Sequence, residues 1–252
     1  MAGAGIKLVI RNLFAIIFSL AVLSVNANEA RELYVVGKAY RPGTDQLLYI
    51  EQHYGNMQKG TVEEVIYLDS EQRHIAIKKL TMASGLYTPE FVQIDHRNGQ
   101  LIAIKDVGEK SIEVVYRASL DTDHFRKSIV KSPSLIIDSG FNKFVLDNWD
   151  YLRSGGKLDI DFVVPSRLSS IEMSVTAIAC KSLIIRCFSV SPQNIILKLF
   201  VGTVELEYSA DTQRLLKFQG LGNINDSYGK AQRVEIRYEY PVHSSGRQKF
   251  LI

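Results

Sequence analysis

Period-two alternation is the property that most restricts what this chain can fold into. Val234, Ile236, Tyr238 and Tyr240 alternate with Arg233, Glu235, Arg237 and Glu239. In an extended strand successive side chains leave on opposite faces, so this pattern yields one apolar face and one charged face. Val204, Leu206 and Tyr208 alternate in the same way with Thr203, Glu205 and Glu207. So do Leu158, Ile160 and Phe162 with Lys157, Asp159 and Asp161, and Ile112, Val114 and Tyr116 with their polar neighbours. Less regular runs at Leu33–Tyr40, Leu47–His53, Val62–Leu68, His74–Leu80, Phe91–Asp95 and Leu101–Lys105 are rich in β-branched and aromatic residues. Turn chemistry falls between them. Pro42-Gly43 suits a type II turn, Asn98-Gly99 tolerates positive φ, and 69–72 and 209–212 are polar breaks. Short connections make neighbouring strands antiparallel.

One segment departs from that period. Phe141, Phe144, Val145, Trp149 and Leu152 are spaced for a helix, with Asp138 or Ser139 as N-cap and Gly155-Gly156 as a stop. A second helical turn is expected after Pro192, using Ile195, Ile196 and Leu199. A sheet with one apolar face needs a cover, and the Phe141–Leu152 helix supplies it. The expected fold is mainly β (α+β): a large curved antiparallel sheet, half-barrel or barrel-like, covered by one amphipathic helix.

The first 27 residues read as an export signal. Lys7 and Arg11 precede an uninterrupted run from Leu13 to Leu23, and Val25 and Ala27 stand at −3 and −1 of a cleavage site. A run of this length suits a signal h-region of about 7–15 residues better than a span of about 20. Cleavage takes 27 of 252 residues and leaves a single β-rich domain over 28–252. It also removes two of 30 basic residues against 27 acidic ones, so net charge falls from +3 to +1. With that balance and no basic stripe, a nucleic-acid partner is not expected. The mature chain is expected to be periplasmic (secreted if the source has no periplasm) and not an integral membrane protein. In an oxidising compartment Cys180 and Cys187, with six residues between them, are expected to pair, the other reading being two free thiols.

Motifs for chemistry are sparse. No G-x-S-x-G elbow, phosphate loop, C-x-x-C or H-E-x-x-H occurs, so neither a cofactor nor a metal is expected. Two readings remain for Tyr49, Glu51 and His53, which share one face of a strand. The alternation itself puts Leu48 and Ile50 on the core and leaves the three solvated. The functional reading gathers Glu51, His53 and Asp95, with Lys78, on a polar patch inside a concave sheet, fit for acid/base work or for a polar head group. The candidate ligand contacts are Tyr49, Glu51, His53, Asp95 and Trp149.

An antiparallel meander with one amphipathic helix (Phe141–Leu152) and further hairpins (204–218 and 234–240) resembles, in architecture, periplasmic half-barrel lipid and lipoprotein carriers and related envelope-stress sensor domains. Leu146-Asp147-Asn148-Trp149-Asp150 and the segment Tyr208–Leu215 are also similar to segments of uncharacterised bacterial periplasmic proteins. The resemblance implies non-enzymatic binding of a lipid or other hydrophobic ligand and assigns no functional residue. Two alternatives stand beside it: an envelope structural or interaction protein with a filled core and a protein partner, and an envelope-acting hydrolase using Glu51, His53 and Asp95.

Overall fold

The computed structural model describes residues 31–56, 61–81 and 87–241, so the signal segment at 1–27 lies outside the described residues. Strands β1 (Glu32–Tyr40), β2 (Leu47–Asn56), β3 (Thr61–Asp69), β4 (His74–Thr81), β5 (Glu90–Asp95), β6 (Leu101–Asp106), β7 (Ser111–Arg117) and β8 (Phe125–Val130) form an antiparallel meander. The chain then crosses to the opposite edge of the sheet. There β9 (Leu135–Ile136) pairs in parallel with β10 (Lys157–Val164). A second meander returns through β11 (Ser169–Ile178), β12 (Ile185–Pro192), β13 (Val204–Ser209), β14 (Leu215–Leu221) and β15 (Arg233–Glu239). β15 pairs with β1, which makes one sheet of 15 strands.

Residues 131–134 alone separate β8 at one edge from β9 at the other. A four-residue link reaches about 17 Å at full extension. The sheet must therefore curve until its two edges approach. Ile112 and Val114 of β7 accordingly share a buried cluster with Leu135, Ile137 and Val163 from the far edge. No backbone ladder joins β8 to β9, so the sheet is strongly curved but not closed. The mainly β, curved antiparallel architecture is the one the alternation implies. Among the described residues no helix is long and apolar enough to cross a membrane.

The covering segment differs from the continuous helix expected. A 3₁₀ turn at Asp138–Gly140 leads into α1 (Phe141–Asp147), and α2 (Trp149–Arg153) follows. The break is Asn148, at φ −107° and ψ 17°. Its side-chain Nδ2 donates to the Phe144 carbonyl at 2.9 Å, sharing that acceptor with its own amide at 3.2 Å. Neither Asp138 nor Ser139 caps α1; Gly140 holds that position. Phe144, Val145, Trp149 and Leu152 are buried against Ile160, Val175, Phe188, Leu206 and Tyr208. The Trp149 ring meets Phe188 and Tyr208 edge-on, at 5.5 and 5.7 Å between centroids. A third helix, α3 (Ile195–Val201), starts where Asn194 Oδ1 accepts from the amides of Ile196 and Leu197. Its Ile195, Ile196 and Leu199 are exposed rather than packed.

Cys180 and Cys187 form a disulfide across the β11–β12 connection, with Cα atoms 5.5 Å apart. Closing so short a loop restricts the unfolded chain by about 2.5 kcal/mol in the chain-entropy account. The double substitution Cys180→Ser/Cys187→Ser is expected to lower unfolding free energy by that amount in urea titrations. An unchanged midpoint would show that the crosslink contributes nothing to the fold.

Candidate functional site

The site begins with small residues on β1. Gly37 and Ala39 point into the concavity, where a side chain of ordinary size would occupy space. Their partners on β2, Glu51 and Tyr49, take that space. Tyr49 and Glu51 are each 1% exposed, so the solvated-face reading of β2 is wrong and the inward reading is right. The reason is volume complementarity: two nearly side-chain-free positions face two large ones, which outweighs the pull of Leu48 and Ile50 toward the core. A Cβ on Gly37 would lie 2.9 Å from the Tyr238 ring and 3.2 Å from the Glu51 carboxylate. Pairing registers then extend one row across the sheet, from Tyr238 through Gly37, Glu51, Tyr67 and Ala76 to Asp95.

Within this row Glu51 Oε2 lies 3.1 Å from His53 Nε2 and accepts from Tyr238 Oη at 3.4 Å. Among the described residues Glu51 Oε1 is buried with no hydrogen-bond partner, and Tyr49 Oη is buried with only the Asn223 backbone beside it. Lys78, 2% exposed, enters from β4, and its ammonium pairs with Asp138 Oδ2 and lies 4.5 Å over the Phe91 ring. Asp138 thus leaves the helix start to neutralise a buried cation on the opposite part of the sheet.

One end of the centre is closed by the β14–β15 loop at 222–232. Gln93 Nε2 donates to the Asn223 carbonyl at 3.0 Å, and Arg97 Nη2 to that of Asn225 at 2.9 Å. Ile224 is buried between Tyr49, Tyr67 and Ile75. A Cβ on Gly222 would fall 2.7 Å from Tyr49 Oη, so only glycine allows this approach. The side chains of His53 and Asp138 keep 18% and 32% exposure, and they mark the solvent-facing side of the centre.

Burial pushes the phenols of Tyr49, Tyr67 and Tyr238 well above their ordinary value of 10, and the nearby Glu51 carboxylate adds to the effect on each. All three are neutral hydroxyls at physiological pH. The centre therefore offers one carboxylate beside an imidazole, one neutralised ammonium, and a wall of un-ionised phenols.

Of the residues singled out in the sequence, Tyr49, Glu51 and His53 meet in this centre, and Lys78 belongs to its wall. Asp95 does not join them. Its two carboxylate oxygens are held by the Arg97 guanidinium at 3.0 and 2.6 Å, and Oδ1 also accepts the Arg97 amide. Trp149 lies in the separate cluster beneath α1 and α2. Asp138, Tyr67, Tyr238 and Gln93 were not picked out as site residues. Asp138 reads locally as a helix cap, and its partner lies 60 residues away, so no local pattern reveals it. Gly37 carried a usable signal, since an inward glycine in a strand marks a close approach. Among the described residues no three His, Cys, Asp or Glu side chains assemble into a metal-binding group.

The sequence matches no protein-family model, and neither a curated protein nor a solved structure shows significant similarity to it.

Proposed function

We propose that this chain is a non-enzymatic, exported binding protein for an amphipathic lipid, and that the Glu51 centre receives the ligand's polar head. The observation that carries this reading is the buried Glu51 Oε1, which has no hydrogen-bond partner among the described residues. A buried polar atom without a partner costs about 1–3 kcal/mol, so such an atom points to a missing bonding group. Oε1 can only accept, so the head group must bring a donor, a hydroxyl or an ammonium. The apolar remainder of the ligand suits the Val, Ile and Phe side chains that border the centre. Entry on the side of His53 and Asp138 fits their partial exposure.

The test is native mass spectrometry with lipid extraction of the purified protein, followed by titration with a fluorescent fatty-acid probe and its amine and alcohol analogues. Glu51→Gln should weaken binding of a donor-bearing probe about ten- to a hundredfold, the worth of a charged hydrogen bond. Tyr49→Phe should weaken it too. A protein that extracts clean, binds none of the probes and is merely stabilised by Tyr49→Phe would refute the proposal.

A second reading is favoured by one distance. Glu51 Oε2 at 3.1 Å from His53 Nε2 is the carboxylate–imidazole arrangement of a general base. In that reading the protein is a hydrolase acting on envelope substrates, without Asp95, which Arg97 already engages. Turnover of ester or amide substrates that vanishes in both Glu51→Gln and His53→Gln would favour it over binding alone.

A further inference from the structure

The disulfide-closed connection between β11 and β12 carries exposed aliphatic side chains beside basic ones. Leu183 and Ile184, at its tip, are 90% and 76% exposed, and Ile178 at its base is 40% exposed. Among the described residues nothing covers them. Two open grooves flank the tip, of about 200 and 660 Å³. Arg153, Arg186 and Arg214 line them with Asp211, and Arg153 is ion-paired with Asp150 at 2.7 Å. Lys181, exposed, sits directly before the tip. The tip is also stiff. The Cys180–Cys187 bond closes it, and Arg186 Nη1 donates to the carbonyls of Leu183 and Ile185, both at 2.9 Å. The Arg214 guanidinium is steadied 4.8 Å over the Tyr240 ring.

We propose that this tip docks the protein on an anionic lipid surface. Leu183 and Ile184 enter the headgroup–acyl boundary, and Lys181, Arg186 and Arg214 face lipid phosphates. Two features select a membrane over a protein partner. The exposed apolar surface here is Leu183 and Ile184 at the tip and Ile178 at the base, far short of the roughly 800 Å² that each side buries in a stable protein interface. Cations flank the aliphatic pair, Lys181 along the chain and Arg186 and Arg214 in the grooves, the order that interfacial segments use to place apolar groups below and charges beside headgroups. Preorganisation by the disulfide removes the ordering cost a free loop would bear on insertion. This surface is distinct from the Glu51 centre, and its role holds whether or not that centre takes a lipid.

Cosedimentation with vesicles tests the proposal. The whole protein and its variants are compared in one background, so any contribution of the first 27 residues cancels. Phosphatidylglycerol–phosphatidylcholine vesicles should bind the parent protein, and pure phosphatidylcholine vesicles should bind it weakly. Leu183→Ser/Ile184→Ser should reduce binding about thirtyfold or more, given the transfer free energy of two aliphatic side chains. Lys181→Glu should reduce it at least about fivefold, and only on anionic vesicles. Leu183→Trp should show emission that shifts to the blue and is quenched by brominated acyl chains, beyond any change in the parent. All three positions are exposed, so unchanged circular dichroism is expected to accompany these losses. Equal binding of the parent and Leu183→Ser/Ile184→Ser overturns the proposal. So does equal binding to neutral and anionic vesicles, or no vesicle binding together with a dimer that the same double substitution dissolves.

Discussion

Replacing Asp138 with alanine is expected to destabilise the fold by about 3–5 kcal/mol, the usual consequence of stripping a buried charge of its partner. Lys78 is the charge left behind. Its side chain is 3% exposed, so the ammonium stays largely out of water when its partner is removed. The Phe91 face beneath the ammonium offers a weak substitute. For a domain of this size the loss corresponds to a fall of roughly 6–20 °C in Tm. The decisive comparison is the double substitution Asp138→Ala/Lys78→Met. Removing both charges eliminates the uncompensated cation and fills its space with an apolar chain, so the double variant should be more stable than Asp138→Ala alone. Urea titrations of the four proteins measure the coupling directly. If Lys78→Met deepens the damage of Asp138→Ala, the pair does not hold the covering segment to the sheet in the way described.

The second large effect is expected at alkaline pH. Tyr49, Tyr67 and Tyr238 have phenols raised well above 10 in the fold, through burial first and then the Glu51 carboxylate. In the unfolded chain the same phenols ionise near 10. A group whose folded pKa is raised contributes stability that is complete below its unfolded pKa and is lost as pH climbs toward the folded value. Above pH 10 the unfolded state releases protons that the native state retains. Each such tyrosine then lowers stability by about 1.4 kcal/mol per pH unit, so three together lower it by about 4. Tyr208 and Tyr240 are raised too, chiefly by burial, and act in the same direction. Unfolding free energy should be nearly flat from pH 7 to about 10 and fall steeply beyond. Tyrosinate absorbance should rise for these residues only as the fold is lost. A gradual rise in a protein whose circular dichroism stays native would show that the phenols are open to solvent.

The strands were legible because alternation is a local property. Val234–Tyr240, Val204–Tyr208 and Leu158–Phe162 each state their own faces, and the fold honours all three. β2 was harder because both phases of Leu47–His53 carry large residues. Only its neighbour decides between them, and Gly37 and Ala39 become informative once the β1–β2 register is known. The same holds for the Lys78–Asp138 pair, whose members are joined by the curvature of the sheet rather than by sequence proximity. β8 is poorly marked for a related reason. Its residues are mostly exposed at a sheet edge, so no buried face writes a pattern into Phe125–Val130. Asn148 shows the opposite limit. Helical spacing runs straight through it, yet its backbone at φ −107° and ψ 17° divides the helix, a conformation that the spacing of apolar residues does not encode.

β1 and β15 lie side by side in the middle of the sheet, and Lys38 pairs with Glu239 across 201 residues. The first strand of the domain therefore has an unfilled flank until the last one arrives. Contacts so distant in sequence are slow to form, because a long loop must close before they return any stability. The hydroxyl that Tyr238 donates to Glu51 comes from that final strand. A chain shortened by a few turns of synthesis would hold Tyr49, Glu51 and His53 on one sheet fragment, with a bare edge beside Gly37. The centre is thus incomplete until β15 has joined β1, whatever the order in which the other strands pair.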